Sequence, residues 1–188
     1  MIDFDKLVEN INAINEVIND LETETETIKR NVDNEKKEMF MIMFNDVLKY
    51  FQLIKKAYGN KIPTFGLTIT YDDGHQIRMA KEWHCSNYYC CLKVRNDLCD
   101  EWFPIEYIYE RCIDEGKCNK SIFESLNRSP KSVQWLVDIV AMDWDYYKIQ
   151  IEKLVAEHIN KIIIERSKKA HKEYECISNE AERLNVEI

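Results

Sequence analysis

Apolar side chains recur at alternating steps of three and four residues between Phe4 and Ile42. These steps bring twelve positions, ten of them apolar, onto one narrow seam of a helix, which is the pattern of a coiled coil. A single helix of this length would leave the seam in water, so the pattern predicts a partner helix. The twelve positions are Phe4, Leu7, Ile11, Ile14, Ile18, Leu21, Thr25, Ile28, Val32, Glu35, Met39 and Ile42.

A second long helix is predicted from Pro130 to the C-terminus, because Ser129 suits the N-cap position and no later Gly or Pro interrupts the run. Both predicted helices are broadly apolar near the middle of the chain and narrowly apolar towards its ends. This mirrored pattern predicts an antiparallel hairpin, in which residue numbers that sum to about 188 face each other. Glu35 is then expected near Lys153. A parallel dimer through the first helix alone is the competing arrangement.

The period of the apolar residues changes from helical to two after Pro63. Alternation from Phe65 to Tyr71, followed by the tight-turn pair Asp73-Gly74, predicts a β-hairpin. A third strand is expected over Tyr88 to Val94. Two short helices are expected after it, over residues 104–115 and 121–126.

The chain is therefore predicted to be mainly α with a small α+β head. Two long helices are expected to form an antiparallel coiled-coil hairpin around a central insert that contains the β-hairpin. The predicted domains are an N-terminal coiled-coil arm at residues 1–59, the head at 60–130 and a C-terminal arm at 131–188. Four glycines and three prolines in 188 residues also favour long helices with few turns.

The formal net charge of −8 argues against a protein that coats nucleic acid or an anionic membrane with its whole surface. No apolar run approaches the length of a membrane span, and no signal segment opens the chain, so we expect a soluble, cytoplasmic protein without a membrane partner. Whether it is a monomer or a homodimer stays open.

Seven cysteines, an odd number, are expected to be reduced thiols rather than disulfides. A zinc site would draw on His84 and six cysteines, but structural zinc normally uses pairs two to four residues apart, and no Cys-x-x-Cys occurs. We expect no metal and no other cofactor. The six cysteines are Cys85, Cys90, Cys91, Cys99, Cys112 and Cys118.

Residues 120–136 contain an apolar pair at Ile122 and Leu126, a turn residue at Asn127, a Ser cap at Ser129, and Ser132-Val133 in the helix that follows. In this pattern the segment resembles the helix-turn-helix of DNA-binding proteins, including Myb-like ones. The resemblance implies phosphate contacts and base contacts from this segment. It departs from the usual pattern at Phe123, where Ala is usual. Asn127 stands where Gly is usual and matches in conformation, because Asn tolerates the same positive φ. The matching positions are Ile122, Leu126, Asn127, Ser129, Ser132 and Val133. The residues implied to bind nucleic acid are Lys120, Arg128, Ser129, Lys131 and Gln134.

An acidic and aromatic stretch follows in the second long helix. Trp and Tyr anchor many protein interfaces, and carboxylates pair with a partner's Arg or Lys, so we predict a partner-binding site here. The alternative is that these aromatic residues pack the helix against the head. The candidate residues are Asp143, Trp144, Asp145, Tyr146 and Tyr147.

Catalysis is not expected. Asp72, Asp73 and His75 lie together, but Asp73-Gly74 is explained by the hairpin turn. Cys85 beside His84 is the only adjacent Cys–His pair, and neighbouring strand residues point to opposite faces. No glycine-rich phosphate loop occurs.

The sequence thus favours a non-enzymatic protein-interaction module. Its acidic character and a composition typical of AT-rich coding sequences suggest a phage or mobile-element inhibitor, which would bind a basic, nucleic-acid-handling host complex. An inhibitor of the anti-CRISPR or anti-defence kind is the concrete expectation. The alternatives are a helix-turn-helix transcriptional regulator dimerised by its coiled coil, and a structural spacer or adaptor.

Overall fold

The computed structural model describes residues 4–84, 87–96, 101–116 and 131–184. The chain divides into two compact units, Met1–Met41 and Ile42–Ile188. Its described part is mostly helical and holds one small antiparallel sheet, as predicted. The elements are α1 Phe4–Tyr58, β1 Phe65–Thr70, β2 Gln76–His84, β3 Asn87–Arg95, β4 Phe103–Ile108, α2 Glu110–Glu115, α3 Lys131–Met142 and α4 Trp144–Leu184.

Helix α1 begins and ends close to the predicted residues. It ends at Tyr58, where Gly59 and Asn60 adopt positive φ angles of 80° and 70°. The N–H groups of these two residues donate to the carbonyls of Lys56 and Lys55 at 3.1 and 3.0 Å, which closes the last turn. The first unit consists of the α1 residues up to Met41, whose apolar seam is exposed to solvent.

The sheet has the order β1-β2-β3-β4, with every neighbouring pair antiparallel. The predicted hairpin is confirmed: Ile69 pairs with Ile77, and the turn between them places Gly74 at a φ of 85°, a value that glycine adopts without strain. The Gly74 N–H donates to the Tyr71 carbonyl at 2.9 Å. The predicted third strand is confirmed as β3.

The helix predicted over residues 104–115 is wrong in its first half. Residues 103–108 form the edge strand β4, and helix α2 begins only at Glu110. Pro104 has no N–H to donate, which an edge strand tolerates. A register shift opposite Leu92 and Lys93 lets Ile105 and Ile108 both be buried from this strand. The helix expected over residues 121–126 lies outside the described residues.

One face of the sheet packs against helices in the second unit. Phe65 of β1 lies between Phe51 of α1, with ring centroids 6.1 Å apart, and His158 of α4, at 5.4 Å. Apolar residues of the sheet and of three helices are almost fully buried around this contact. They include Val47, Phe51, Ile54, Ile77, Leu92, Val94, Leu136, Val137 and Ile151.

Within the second unit, α1 and α4 run in the same direction. The Trp144 Nε1–H donates to Asp46 Oδ2 at 2.9 Å, and the Tyr50 hydroxyl donates to Glu152 Oε1 at 2.8 Å. Further along both helices, the Arg166 Nη1–H donates to the carbonyl of Ala57 at 2.5 Å. Residue numbers therefore rise together along the contact.

The predicted antiparallel coiled-coil hairpin is accordingly not confirmed. A sum near 188 would place Tyr50 beside residue 138, whereas Tyr50 contacts Glu152. That register, from which the pairing of Glu35 with Lys153 was derived, does not hold where α1 meets α4. The predicted unbroken second helix is also corrected: a turn at Asp143 separates α3 from α4.

Asp46 should stabilise the fold because its carboxylate accepts the hydrogen bond from the buried Trp144 indole and also pairs with the Lys148 ammonium at 2.9 Å. We expect Asp46→Ala to lower the free energy of unfolding by about 1–3 kcal/mol, since it leaves a buried N–H without an acceptor. Asp46→Asn, which keeps an acceptor, should cost less. Urea denaturation followed by circular dichroism measures both.

The matched control is Glu157→Ala, which removes an exposed carboxylate from α4. It should change the free energy of unfolding by less than about 0.5 kcal/mol. An Asp46→Ala protein as stable as this control would contradict the role given to Asp46.

Candidate protein-binding surface

The predicted acidic and aromatic stretch lies at the junction of α3 and α4, where it divides between core and surface. Trp144 and Tyr147 are buried, each 4% exposed, whereas Asp143, Asp145 and Tyr146 are exposed. The Asp143 carbonyl accepts the N–H groups of Tyr146 and Tyr147 at 3.1 and 3.4 Å, which begins α4. The two buried rings anchor the helix, and the other three side chains face solvent.

Tyrosines of the junction contact the β1–β2 turn. The ring of Tyr71 stacks on that of His75, with centroids 4.6 Å apart and an interplanar angle of 8°. Tyr147 meets both rings edge-on, at 5.0 and 5.7 Å, and Tyr146 lies 6.1 Å from Tyr71 and 5.2 Å from Tyr147. Edge-to-face and offset contacts of this kind stabilise aromatic clusters. The turn and the helix junction therefore form one continuous structure.

Asp73 fixes the position of His75 in this cluster. Its Oδ1 accepts the backbone N–H of His75 at 3.2 Å and also pairs with the ring Nδ1. Burial alone would raise the pKa of the Asp73 carboxyl, but the two hydrogen bonds and the attraction to the ring lower it below its ordinary value. Asp73 is thus held in its charged form while most of its side chain is exposed.

Several carboxylates converge on the same place. The pKa of the Tyr147 hydroxyl is raised first by burial and then by the negative charges of Asp73 and Asp143. Asp145 is a further exposed carboxylate in the first turn of α4, next to Tyr146 in the chain. Asp73, Asp143, Asp145 and Tyr146 together define what we call the acidic tyrosine surface.

Two exposed apolar residues flank the acidic tyrosine surface. Met142 ends α3 and is 63% exposed, and Ile149 is 65% exposed on α4, three residues after Tyr146. Residues three apart on a helix lie on the same face. The surface therefore combines carboxylates, an accessible tyrosine ring and apolar side chains, a mixture that suits contact with a protein.

Most of the predicted DNA-contacting residues lie outside the described part of the chain. This holds for Lys120, Arg128 and Ser129, and for the side chain of Lys131 at the start of α3. Gln134 is described and donates to Asp138 Oδ1 at 3.1 Å. From Leu136 onward, α3 turns apolar side chains into the core.

The described cysteines include buried Cys90, Cys91 and Cys112 and exposed Cys176. Burial raises the pKa of Cys90 and of Cys91 to about 12, so both stay protonated thiols at neutral pH. Among the described residues, no three His, Cys, Asp or Glu side chains are grouped so that they could hold a metal ion. Cys85, Cys99 and Cys118 fall outside those residues.

The sequence does not connect Tyr71, Asp73 and His75 with the α3–α4 junction. It shows these residues only as a carboxylate-rich turn after an alternating strand. Their proximity to Tyr147 depends on how the hairpin packs against α4, which no local pattern encodes.

None of the described helices is long and apolar enough to cross a membrane.

Because the folded protein lowers the pKa of Asp73, its charge stabilises the fold above the ordinary aspartate pKa, and this stability is lost as the pH falls through the lowered value. Asp73→Asn should therefore be less stable than the wild type at pH 7. The difference should shrink as the pH falls from about 5 towards about 3. Urea denaturation at several pH values measures it.

Asp72→Asn is the control, since it removes the same charge at the neighbouring exposed position. A stability difference for Asp73→Asn that is independent of pH would show that the charge of Asp73 contributes nothing to the turn.

Comparison with known proteins gives no family. No protein-family model matches the chain, and no curated protein or solved structure is similar to it. What the chain does must therefore be argued from its own residues.

Proposed function

We propose that this chain is a non-enzymatic protein-interaction module, which binds a basic partner through the acidic tyrosine surface. One observation carries the proposal. The β1–β2 turn packs against the α3–α4 junction through ring contacts of Tyr71 with Tyr146 and Tyr147, and Asp73 of the turn pairs with His75 beside Tyr147. The carboxylate of Asp73 and the exposed ring of Tyr146 thereby belong to one surface.

The chemistry of this surface favours arginine and lysine. A guanidinium can pair with a carboxylate through two hydrogen bonds and stack on a tyrosine ring at the same time. Met142 and Ile149 offer apolar area next to these polar groups, and centrally placed aromatic and apolar anchors supply much of the binding energy of protein interfaces.

The partner we favour is a complex that handles nucleic acid. Such complexes hold their substrates in positively charged channels, and an acidic protein can occupy a site that is built for phosphates. The net charge of −8 supports attraction over a long range. In this proposal the chain acts as an inhibitor of a host defence nuclease, of the anti-CRISPR or anti-defence kind, and originates from a phage or mobile element.

A purified nuclease loaded with its guide RNA is the probe for this function. We expect the full chain to bind it in biolayer interferometry and to inhibit cleavage of target DNA. The triple variant Asp143→Asn/Asp145→Asn/Tyr146→Ala should bind at least about tenfold more weakly, because it removes two charges and one aromatic anchor.

The chain contains a matched control on α4. Glu173, Tyr174 and Glu175 are a second exposed set of two acids and one tyrosine, and Tyr174 is 62% exposed. Glu173→Gln/Tyr174→Ala/Glu175→Gln makes the same change of charge and ring, and it should stay within about twofold of the wild type. Equal losses in the two triple variants would mean that total charge, and not this surface, drives binding.

Duplex DNA distinguishes the main alternative. A helix-turn-helix regulator would bind DNA with an affinity that falls as salt rises and that falls again in Lys131→Ala/Gln134→Ala. We expect no such binding at low salt. High-order assembly without a protein or DNA partner would instead indicate a structural spacer.

A further inference from the structure

The first unit carries a long apolar stripe that stays in solvent. The apolar residues of the seam from Phe4 to Val32 are each between 44% and 69% exposed. Soluble proteins rarely leave a continuous apolar stripe uncovered, and such a stripe usually marks an interaction site. We call it the heptad seam; its exposed members are Phe4, Leu7, Ile11, Ile14, Ile18, Leu21, Ile28 and Val32.

The size of the heptad seam fits one partner helix. Burying each of these side chains would remove about 80 Å² of apolar surface from water, which gives roughly 1,300 Å² when two such helices pair. That area lies within the usual range for a stable, specific protein interface. We therefore expect the partner to be a helix that contacts the seam along its whole length.

We propose that the partner is a second copy of this chain, paired in parallel and in register through the heptad seam. In that arrangement each seam residue meets its own counterpart, so Ile11 packs on Ile11 and Ile18 on Ile18. The repeat of seven residues that runs from Phe4 is the sequence requirement for such a coiled coil. This inference does not depend on the proposed function.

The charges beside the seam suit this pairing. Each repeat of seven residues has two seam positions, three residues apart. In a parallel coiled coil, the residue immediately before the first of these two positions faces the residue five places later on the partner. This rule brings Glu24 to Lys29, Asn10 to Asn15 and Asn31 to Lys36, and it creates no pair of like charges between the two copies. Most acids of this unit fall at outward positions of the repeat, where the two copies keep them in solvent. They are Asp5, Glu9, Glu16, Asp20, Glu26 and Asp33.

Glu35 is the one charged residue on the seam. In the parallel dimer it would face its own counterpart, which weakens the pair but also fixes the register, as polar residues at seam positions do in other coiled coils. The dimer is thus expected to be reversible. Each dimer would carry two copies of the acidic tyrosine surface and could bind a bivalent partner more tightly than one copy does.

Sedimentation equilibrium of the full chain tests the dimer. We expect twice the chain mass of 22.5 kDa for the wild type and the chain mass itself for Ile14→Glu/Leu21→Glu, which places charges in the seam. Asn12→Glu/Asn19→Glu adds the same charge at exposed positions outside the seam and should remain a dimer. A monomeric wild type, or a dimer that survives Ile14→Glu/Leu21→Glu, would overturn the proposal.

Cysteine cross-linking tests the direction of the pairing. In a background of Cys176→Ser, Thr25→Cys should form a disulfide-linked dimer on mild oxidation, because position 25 meets itself only when two copies are parallel and in register. Thr23→Cys, two residues away on the outer face, should cross-link no more than the background does. Equal cross-linking at both positions, or no cross-linking of Thr25→Cys above the background, would overturn the parallel arrangement.

Glu35→Leu tests the register independently. Removing the facing charges should lower the dissociation constant of the dimer by about tenfold or more. Asp33→Leu makes the same substitution at an outward position and should change the constant by no more than about twofold. No change in Glu35→Leu would contradict a register in which the two glutamates meet.

Discussion

The contact between the Asp46 carboxylate and the first turn of α4 determines how the second unit is built. Asp46 accepts the Trp144 indole N–H and pairs with Lys148, so the start of α4 lies beside Asp46, roughly three turns before the end of α1. Both helices then run in one direction, as the Tyr50–Glu152 hydrogen bond and the contact between Tyr58 and His158 show. Parallel neighbours cannot be joined by a short turn. The chain must therefore return along the length of the contact before α4 begins. The antiparallel sheet, which lies between the two helices in the sequence, packs against both of them.

Much of this fold could be predicted because local patterns encode it. The length of α1, the Gly59 stop, the hairpin around Asp73-Gly74 and the strand β3 all follow from periodicity and turn chemistry. Helix direction could not be predicted, because an apolar stripe looks the same when it is read from either end. Side chains far apart in the chain, such as Asp46 and Trp144, decide it. Strand β4 was misread for a related reason: Ile105, Ile108 and Cys112 have helical spacing, yet a register shift buries the two isoleucines from a strand.

The candidate surface stays a prediction, and the structure adds Asp73 to the residues that the sequence singles out. The composition of residues 143–147 marked the region, but composition cannot separate a ring that anchors a helix from a ring that meets a partner. Trp144 and Tyr147 are buried and belong to the first kind, whereas Tyr146 is exposed and belongs to the second kind only in our proposal. The addition of Asp73 from the β1–β2 turn depends on tertiary packing. The Tyr71 hydroxyl and His75 Nε2 are buried there without a hydrogen-bond partner among the described residues, so the stacked pair is held by ring contact and by Asp73.

The parallel arrangement of α1 and α4 also has an electrostatic consequence. Two helices side by side in the same direction have macrodipoles that repel when their ends are level. Here the helices are staggered, since α4 begins beside Asp46 and continues past the end of α1 at Tyr58. The Asp46 carboxylate therefore lies beside side chains of the first turn of α4, close to its positive end, and the Arg166 guanidinium donates to the Ala57 carbonyl at the negative end of α1. Each helix thus neutralises one dipole end of the other, so the stagger turns an unfavourable alignment into two favourable charge–dipole contacts.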